Sequence, residues 1–327
     1  MTVNDAPVVA VDGGNTKTEA AVVAPDGRLL GMARGGVGDI YGHLGEQGAV
    51  DEVVRVVNAA LADAGAHAIG VRHAAFRLAG LDWSDDIELW RHALQVAWPG
   101  LSASLKNDGF VFTHAGAADG HAISVVLGTG GAIAGAGPGG EFAVSWWLQH
   151  GLGAAGIVGT SIRAAALAEL GLGPATRLQH LLPSLLGVHD VEGVLHATTR
   201  RHTDWHHTRL AGLAPSLMVL WREDDVFTTI VEAQGAIVAD YVNVVARRCS
   251  LPEDVPVVVG GGMMKGAPHI ADVVRGALLS QLPDCRVHLD PGSALFGTAL
   301  SALAEAEVSI DHCAAGALRE AIDHSLL

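Results

Sequence analysis

The sequence predicts an α/β protein of two related domains with a ligand cleft between them. Three observations support this class: the chain has 327 residues, short β-branched strands alternate with helical segments, and a unit of strand, glycine turn and strand occurs twice. Such a length exceeds the usual span of one hydrophobic core, so two domains are expected. A cleft between domains is a common place for a ligand.

The first of these units begins the chain. Two apolar runs at 8–11 and 20–23 flank a turn, followed by Glu19, that contains Asp12, Gly13, Gly14, Asn15, Thr16, Lys17 and Thr18. Glycines let the backbone approach a ligand closely, while hydroxyls, a lysine and free N–H groups can meet phosphate oxygens and a carboxylate can serve Mg²⁺. The turn therefore predicts a phosphate site, with an ordinary Asp-Gly hairpin turn as the alternative.

The rest of the first half alternates between strands and helices. A turn at 25–27 precedes a third strand at 28–34, and apolar residues at helical spacing predict a helix over 45–64. A strand at 74–78, a helix at 85–97 and a strand at 101–105 follow, and the last strand leads to Asn107 and Asp108. Residues 111–120 are predicted to be helical and to close this half.

The second half repeats the opening unit. A strand at 122–127 leads into a turn and a second strand at 132–136, and the turn consists of Gly128, Thr129, Gly130 and Gly131. A mostly helical region at 160–248 is expected to break at 171–174, Pro183 and Pro215. A strand at 255–259 ends on Gly260, Gly261 and Gly262, a helix begins near Pro268, and residues 293–327 are largely helical.

Composition excludes several classes of partner and site. A formal net charge of −15 and a pI near 5.5 argue against nucleic-acid binding, which needs a basic surface. The three cysteines, Cys249, Cys285 and Cys313, lie far apart and predict neither disulfides nor a metal site, as expected in a reducing cytoplasm. No secretory signal is expected at the start, and the uncharged stretches 122–140 and 142–162 are rich in glycine, so we interpret them as buried strands and helices rather than membrane spans.

Glycine turns at Gly13, Gly128 and Gly260, together with Asp108 at a fourth strand end, form a specific combination. It resembles the superfamily of sugar kinases, actin and heat-shock chaperone ATPases, and within it the N-acetylglucosamine kinase branch of the BadF/BadG/BcrA/BcrD ATPase family. The resemblance implies two ribonuclease H-like (actin-like ATPase) domains with a nucleotide cleft between them. It places an N-terminal domain at 1–118, a C-terminal domain at 119–292, and helices at 293–327 that return to the first domain.

The resemblance also implies roles for individual residues. Asp12 would bind Mg²⁺, and Asp108 would be the catalytic base, which at an ordinary pKa of about 3.9 is ionised at neutral pH. Met263 and Met264 would lie beside the base of ATP. The residues that would contact ATP are Gly13, Gly14, Asn15, Thr16, Lys17, Thr18, Gly128, Thr129, Gly130, Gly131, Gly260, Gly261 and Gly262. Phosphoryl transfer agrees with these residue types, because it depends on positioning and charge neutralisation.

Two departures from the family concern the sugar. Asp39 stands where the family usually has an asparagine for the sugar hydroxyls, and it can accept hydrogen bonds but donates none when ionised. Leu152 and Gly153 stand where the family has an acidic pair, so a different or less polar acceptor becomes plausible. The candidate acceptor-binding residues are Asp39, Asn107, Asp108, Trp146, Trp147, Gln149 and His150.

The sequence therefore favours an ATP-dependent kinase that uses Mg²⁺ and phosphorylates an amino sugar such as N-acetylglucosamine or glucosamine. The alternatives are an activator-type ATPase of the same family, which needs cysteines for an iron-sulfur cluster, and a sugar- or nucleotide-binding regulator that has lost turnover. The resemblance also implies a homodimer. His202, His206 and His207 could suggest a metal site, but a polar surface segment is the preferred interpretation.

Overall fold

The computed structural model describes residues 6–144, 147, 151–289 and 292–326. Its first half is built on a mixed sheet with the strand order β3-β2-β1-β4-β5. Strand β1 pairs antiparallel with β2 and parallel with β4, so a hairpin meander continues into parallel crossovers. The strands are β1 (Val8–Gly13), β2 (Thr18–Val23), β3 (Leu29–Gly35), β4 (His73–Leu78) and β5 (Ala103–Asn107).

The second half contains a sheet of the same topology, with the order β10-β9-β6-β7-β8. Strand β6 takes the place of β1, because it pairs antiparallel with β7 and parallel with β9. The α/β fold with two related sheets is thus confirmed. The strands are β6 (Ile123–Leu127), β7 (Gly131–Gly137), β8 (Gly140–Ala143), β9 (Pro256–Gly260) and β10 (Arg286–Leu289).

Helices cover the sheets, and none of the described ones is long and apolar enough to cross a membrane. They are α1 (Gly45–Asp63), α2 (Ser84–Ala97), α3 (Thr113–Gly116), α4 (Gly153–Glu169), α5 (Leu178–Leu186), α6 (Val191–Thr199), α7 (His207–Ala211), α8 (Ala214–Leu217), α9 (Asp225–Arg248), α10 (Gly262–Gly266), α11 (Pro268–Gln281), α12 (Ala294–Glu305) and α13 (His312–Ser325).

Alternation along β1 distributes its side chains to the two faces of the first sheet. Val9 and Val11 join a core with α1 and α2, whereas Val8 and Ala10 pack against α12 and α13 on the opposite face. Helix α12 follows the second sheet in the chain, yet it packs on β1 and β4 of the first. The exact domain boundaries at 118/119 and 292/293 stay predictions.

Three sequence predictions differ from the structure. Pro183 does not end a helix but lies inside α5. The helix continues for about one more turn and ends at Leu186, where Gly187 adopts the left-handed conformation. The predicted helix at 111–120 is reduced to α3, and a 3₁₀ turn at Asp108–Phe110 precedes it. Strands β8 and β10 were not predicted, because both are short edge strands that are half polar.

Candidate active site

The two glycine turns meet face to face. The turn between β1 and β2 and the turn between β6 and β7 approach each other at Thr16 and Thr129, whose hydroxyl oxygens are 3.3 Å apart. Each turn extends from the central strand of its sheet, so the duplicated topology brings the two predicted phosphate sites together. The space between them is the candidate active site.

The first turn is closed by backbone hydrogen bonds. Gly14 N donates to Lys17 O at 2.8 Å, and Gly38 N donates to Gly14 O at 3.1 Å, so the loop after β3 is attached to the turn. Gly13 must be a glycine or its neighbour must move, because a Cβ there would lie 2.6 Å from Leu78 Cδ2. Asn15 and Thr16 are exposed, whereas Thr18 is fully buried and its hydroxyl lacks a partner among the described atoms.

A row of charged residues crosses the first sheet next to this turn, one from each strand. The pairing register aligns Arg34, Glu19, Asp12, Arg77 and Lys106 on β3, β2, β1, β4 and β5. Lys17 Nζ donates to Glu19 Oε1 at 2.7 Å, so the predicted phosphate lysine is held by a carboxylate. Sequence analysis missed Glu19, although a glutamate in an otherwise apolar strand was the available signal.

The row also connects to the helix that returns from the second half. Arg77 is fully buried, and its Nη2 donates to Glu305 Oε1 of α12 at 2.6 Å. Ser104, His73 and Lys106 also contact the Glu305 carboxylate. These donors hold the pKa of Glu305 well below its usual range in spite of burial. Lys106 further pairs with Glu141 of β8 at 2.6 Å, which links the edges of the two sheets.

The second turn is joined to the start of α4. Gly128 N donates to Gly130 O at 2.9 Å, and the N–H groups of Ala154 and Ala155 donate to Gly128 O and Thr129 O. A Cβ on Gly128 or Gly130 would meet nothing within 4 Å, so both residues border open space. Thus the first N–H groups of α4 support the turn and are not free for a ligand.

Gly153 has a backbone that only glycine adopts without strain. Its φ is +84°, and a Cβ there would lie 2.2 Å from Gly130 O. An acidic side chain at this position would therefore collide with the second turn. Leu152 is buried, and its side chain fills the space beside Gly131. The acidic pair that the resemblance implied at Leu152 and Gly153 therefore does not fit this backbone.

A residue that sequence analysis missed fixes this junction. Gln234 of α9 is 2% exposed, and its Oε1 accepts a hydrogen bond from Gly153 N at 3.1 Å. Its Nε2 donates a hydrogen bond to Gly151 O. This buried side chain forms hydrogen bonds with the backbone of both Gly151 and Gly153, and so it connects the second turn to α9. A polar residue on the buried face of a helix was the only sequence signal.

The third glycine turn follows β9. Gly261 has a φ of +106°, and a Cβ there would lie 2.4 Å from Leu127 O at the end of β6, so the β9 end lies directly beside the second turn. Gly260 is the last residue of β9, and Gly262 begins α10 and borders open space. Met263 and Met264 are largely buried in the core of the second half, and their place beside a nucleotide base stays a prediction.

Asp108 lies at the carboxyl end of β5, in the turn that begins after Asn107. The Asn107 side chain caps this turn by accepting from Gly109 N at 2.8 Å. Burial, followed by the charges of Asp12, Asp82 and Asp39, raises the pKa of Asp108 to about 8. The expectation of an ionised aspartate with an ordinary pKa is therefore wrong for the ligand-free protein, because Asp108 is buried and carboxylates from three other segments lie near it.

The chemistry at Asp12 fits a hard divalent cation. Burial and the charge of Glu19 raise the pKa of Asp12 to about 7, while Lys17 lowers it. A bound cation would offset the repulsion between neighbouring carboxylates and lower their raised pKa values. Among the described residues, no group of three or more histidine, cysteine, aspartate or glutamate side chains is placed to hold a metal ion. A Mg²⁺ ion here would take its remaining ligands from phosphate and water.

The candidate acceptor side is acidic and has an aromatic rim. Asp39 is 5% exposed and accepts from Tyr41 N at 2.9 Å, and burial raises its pKa. Asn107 Nδ2 donates to Asp82 Oδ1 at 2.9 Å. Asp86 accepts from the hydroxyl of Tyr41 and from Trp83 N, which holds both aromatic residues beside this cluster. Asp86 is buried although it lies in the first turn of α2.

The remaining predicted acceptor residues are only partly within the described structure. Trp147 is 66% exposed, and its carbonyl accepts a hydrogen bond from the Tyr241 hydroxyl at 3.1 Å. Trp146, Gln149 and His150 lie outside the described residues. Their roles stay predictions.

Other features of the described structure lie away from these turns. A groove of about 770 Å³ is lined by Thr176, Arg177 and the start of α9. Its central carboxylate, Asp224, already accepts hydrogen bonds from Thr176 Oγ1, Arg177 N and Phe227 N. Cys249 and Cys285 are buried and Cys313 is exposed. None of these features contributes to the facing glycine turns.

Comparison with known proteins agrees with this geometry. The model of the BadF/BadG/BcrA/BcrD ATPase family matches residues 9–294. No curated protein matches the chain by sequence. A solved structure from Chromobacterium violaceum, provisionally named an N-acetylglucosamine kinase, has 21% identity and a TM-score of 0.68, over 91% of this chain and 99% of its own.

Two further solved structures share the fold. A protein from Porphyromonas gingivalis, also provisionally named an N-acetylglucosamine kinase, has 16% identity and a TM-score of 0.63, over 92% of this chain and 100% of its own. A ROK family glucokinase from Streptomyces griseus, solved with glucose and AMPPNP, has 19% identity and a TM-score of 0.53, over 90% of this chain and 99% of its own. At these identities the likeness establishes the fold.

Proposed function

This chain belongs to the BadF/BadG/BcrA/BcrD ATPase family, and we propose that it is an ATP-dependent kinase that phosphorylates a hydroxyl of an amino sugar. The observation that carries the proposal is the meeting of two glycine turns, from two sheets of the same topology, beside Asp108. Such turns can hold phosphates, and a carboxylate next to them can accept a proton from a hydroxyl.

The nucleotide would occupy the space between the turns. The residues around Gly14 and Thr16 would contact the terminal phosphates from one side, and those around Gly128 and Thr129 from the other. The end of β9 at Gly261 lies directly beside the second turn, so the adenosine would continue along it. Mg²⁺, held at Asp12, would neutralise charge on the phosphates. Lys17 would add a positive charge at the first turn.

Asp108 would act as the general base of the transfer. Only its ionised form can accept the proton of the acceptor hydroxyl, and its pKa of about 8 means that this form is the minority at neutral pH in the ligand-free protein. When the pKa of a general base lies near the working pH, a useful fraction of the base is ionised and it still has a high affinity for the proton. The reaction should therefore depend on pH through this group.

Charge on the acceptor side limits the choice of sugar. In the part of the chain that the structure describes, the main influences on the pKa values of Asp39 and Asp108 are burial, other carboxylates, and uncharged hydrogen-bond donors, and neither lysine nor arginine is among them. A sugar acid or sugar phosphate would add negative charge to this cluster. We therefore favour a neutral or ammonium-bearing acceptor, N-acetylglucosamine or glucosamine, over N-acetylmuramic acid.

An ADP-release assay with Mg²⁺ tests the proposal. We expect release that depends on N-acetylglucosamine or glucosamine, less with N-acetylmannosamine or glucose, and little with N-acetylmuramic acid. The Asp108→Asn variant serves as the control, because it keeps the shape of the site but removes the base. Absence of sugar-dependent ADP, or activity that Asp108→Asn leaves unchanged, would contradict the proposal.

Two alternatives give different results in the same experiments. An activator ATPase requires cysteines that can hold an iron-sulfur cluster, but Cys249 and Cys285 are buried and the Cys249 thiol donates to Gly135 O. Iron in the purified protein would support that class. Tight sugar or nucleotide binding by calorimetry without any product would support a regulator. A cytoplasmic location and a homodimer stay predictions.

A further inference from the structure

Glu19 is a buried carboxylate whose two oxygens have different environments. The residue is fully buried on β2, and Oε1 accepts from Lys17 Nζ at 2.7 Å and lies 3.5 Å from Arg34 Nε. The other oxygen, Oε2, is buried and has no hydrogen-bond partner among the described atoms. A buried, charged oxygen without a partner is costly, so it needs an explanation.

An ordinary buried ion pair does not explain this arrangement. The two cations near Glu19 both approach Oε1, and the side chain of Arg34 is 55% exposed. On the other side, Glu19 is paired in register with Asp12 of β1. Residues in direct register on antiparallel strands have Cβ atoms about 5 Å apart, so two carboxylates lie side by side. Like charges in this position repel unless a cation joins them.

We infer that Glu19 and Asp12 together bind the divalent cation that accompanies the nucleotide, with Oε2 of Glu19 facing the cation and Oε1 holding Lys17 beside the first turn. Proteins commonly bind Mg²⁺ through one or two carboxylates, with phosphate and water completing the shell. The inference rests on the proposed function only in requiring a nucleotide at these turns, and it is independent of the acceptor. It assigns Glu19 a role in metal binding.

The Glu19→Gln variant distinguishes the roles of the two carboxylate oxygens. The amide keeps one oxygen that can accept from Lys17, but it replaces the other with an NH₂ group that repels a cation. Binding of Mn²⁺ in the presence of ADP can be followed by electron paramagnetic resonance. We expect the Kd for Mn²⁺ to rise about tenfold or more, as for the loss of a metal contact, while the Kd for ADP without metal stays within about twofold by calorimetry.

The Lys17→Met variant is the matched control, because it removes the lysine and keeps both carboxylates. It should weaken ADP binding to a similar extent with and without metal, and leave Mn²⁺ binding to the ADP complex close to that of the unchanged protein. Wild-type affinity for Mn²⁺ in Glu19→Gln would overturn the inference. So would a loss of metal-free ADP binding in Glu19→Gln as large as that in Lys17→Met, since Glu19 would then only hold the lysine.

A second substitution covers the case in which Glu19→Gln does not fold, as judged by thermal unfolding. Glu19→Asp keeps the charge but withdraws it by one methylene, so we expect Mn²⁺ affinity below that of the unchanged protein and unchanged metal-free ADP binding. Unchanged Mn²⁺ affinity in Glu19→Asp would count against the inference. Because these measurements need no sugar, an absence of sugar phosphorylation would refute the proposed function without affecting them.

Discussion

The conformation of Gly153 leads to a sharp prediction for the Gly153→Ala variant. With φ at +84°, an L residue there is strained by about 1–2 kcal/mol. The new Cβ would also lie 2.2 Å from Gly130 O, where ordinary contacts begin near 3.4 Å, so the second turn has to move by about 1 Å. Overpacking of this kind adds about 1–3 kcal/mol, and we expect a total loss of about 3 kcal/mol of unfolding free energy.

The same displacement should impair the site. A misplacement of about 1 Å can cost about 100-fold in rate, because the reacting groups no longer align. We therefore expect Gly153→Ala to lower kcat/KM for ATP about 100-fold and to weaken ADP binding. Urea unfolding measures the loss of stability and calorimetry with ADP measures the loss of nucleotide binding, and neither requires that the acceptor be known.

Gly187→Ala provides the matched control. Gly187 also has a left-handed backbone, with φ at +70°, but a Cβ there would meet nothing within 4 Å. This variant should lose only about 1 kcal/mol and keep its nucleotide affinity. Equal losses of unfolding free energy in the two variants, with ADP binding unchanged in both, would refute the account of Gly153.

Three further predictions concern charged groups. The kcat/KM for the acceptor should rise with pH, because Asp108 must lose its proton before it can act as a base. The midpoint should lie below 8, because Mg²⁺ at Asp12 offsets part of the repulsion that raises the pKa of Asp108 in the ligand-free protein, and a profile that is flat between about pH 5 and 9 would contradict this. Asp108→Asn should lower kcat by about 100-fold or more while calorimetry shows unchanged ADP affinity, and a comparable loss of ADP binding would point to a structural role instead. Glu305→Gln should cost about 3 kcal/mol at pH 7, because Arg77 loses its buried charge partner. Since the folded-state pKa of Glu305 is depressed, its stabilisation is complete above its ordinary value of 4.5 and is lost as pH falls below it, so urea unfolding should show a smaller difference between variant and unchanged protein in acid.

Much of the fold was predictable because its signals are local. The strands before Gly13 and Gly128 are short and β-branched, and the glycine turns between paired strands repeat, so the related halves could be predicted from sequence. Edge strands such as β10 lack a comparable run of apolar residues, since an edge strand is less buried than a central one and can carry polar side chains. Helix α5 continues through Pro183 because the burial of Leu182, Pro183 and Leu186 offsets the loss of one backbone hydrogen bond.

The convergence of the two glycine turns near Asp108 could be expected from sequence, whereas the electrostatics of the candidate site could not. Asp12, Asp39, Asp82 and Asp108 are distant in sequence, and the pKa of Asp108 is raised by its burial and by their convergence, both of which arise only in the fold. Arg77 and Glu305 are 228 positions apart, so no local pattern pairs them. The exclusion of an acidic residue at Gly153 likewise depends on the approach of Gly130. Such effects belong to tertiary structure, which the spacing of residues does not show.

The central claim is that the cleft transfers a phosphoryl group from ATP to a sugar hydroxyl with Asp108 as the base. Mass spectrometry of the sugar after incubation with ATP and Mg²⁺ tests it most directly, with Asp108→Asn in parallel. We predict a phosphorylated N-acetylglucosamine or glucosamine, formed in equal amount to ADP by the unchanged protein and nearly absent with Asp108→Asn. ADP formed without any phosphorylated sugar, or equal product from both proteins, would contradict the account.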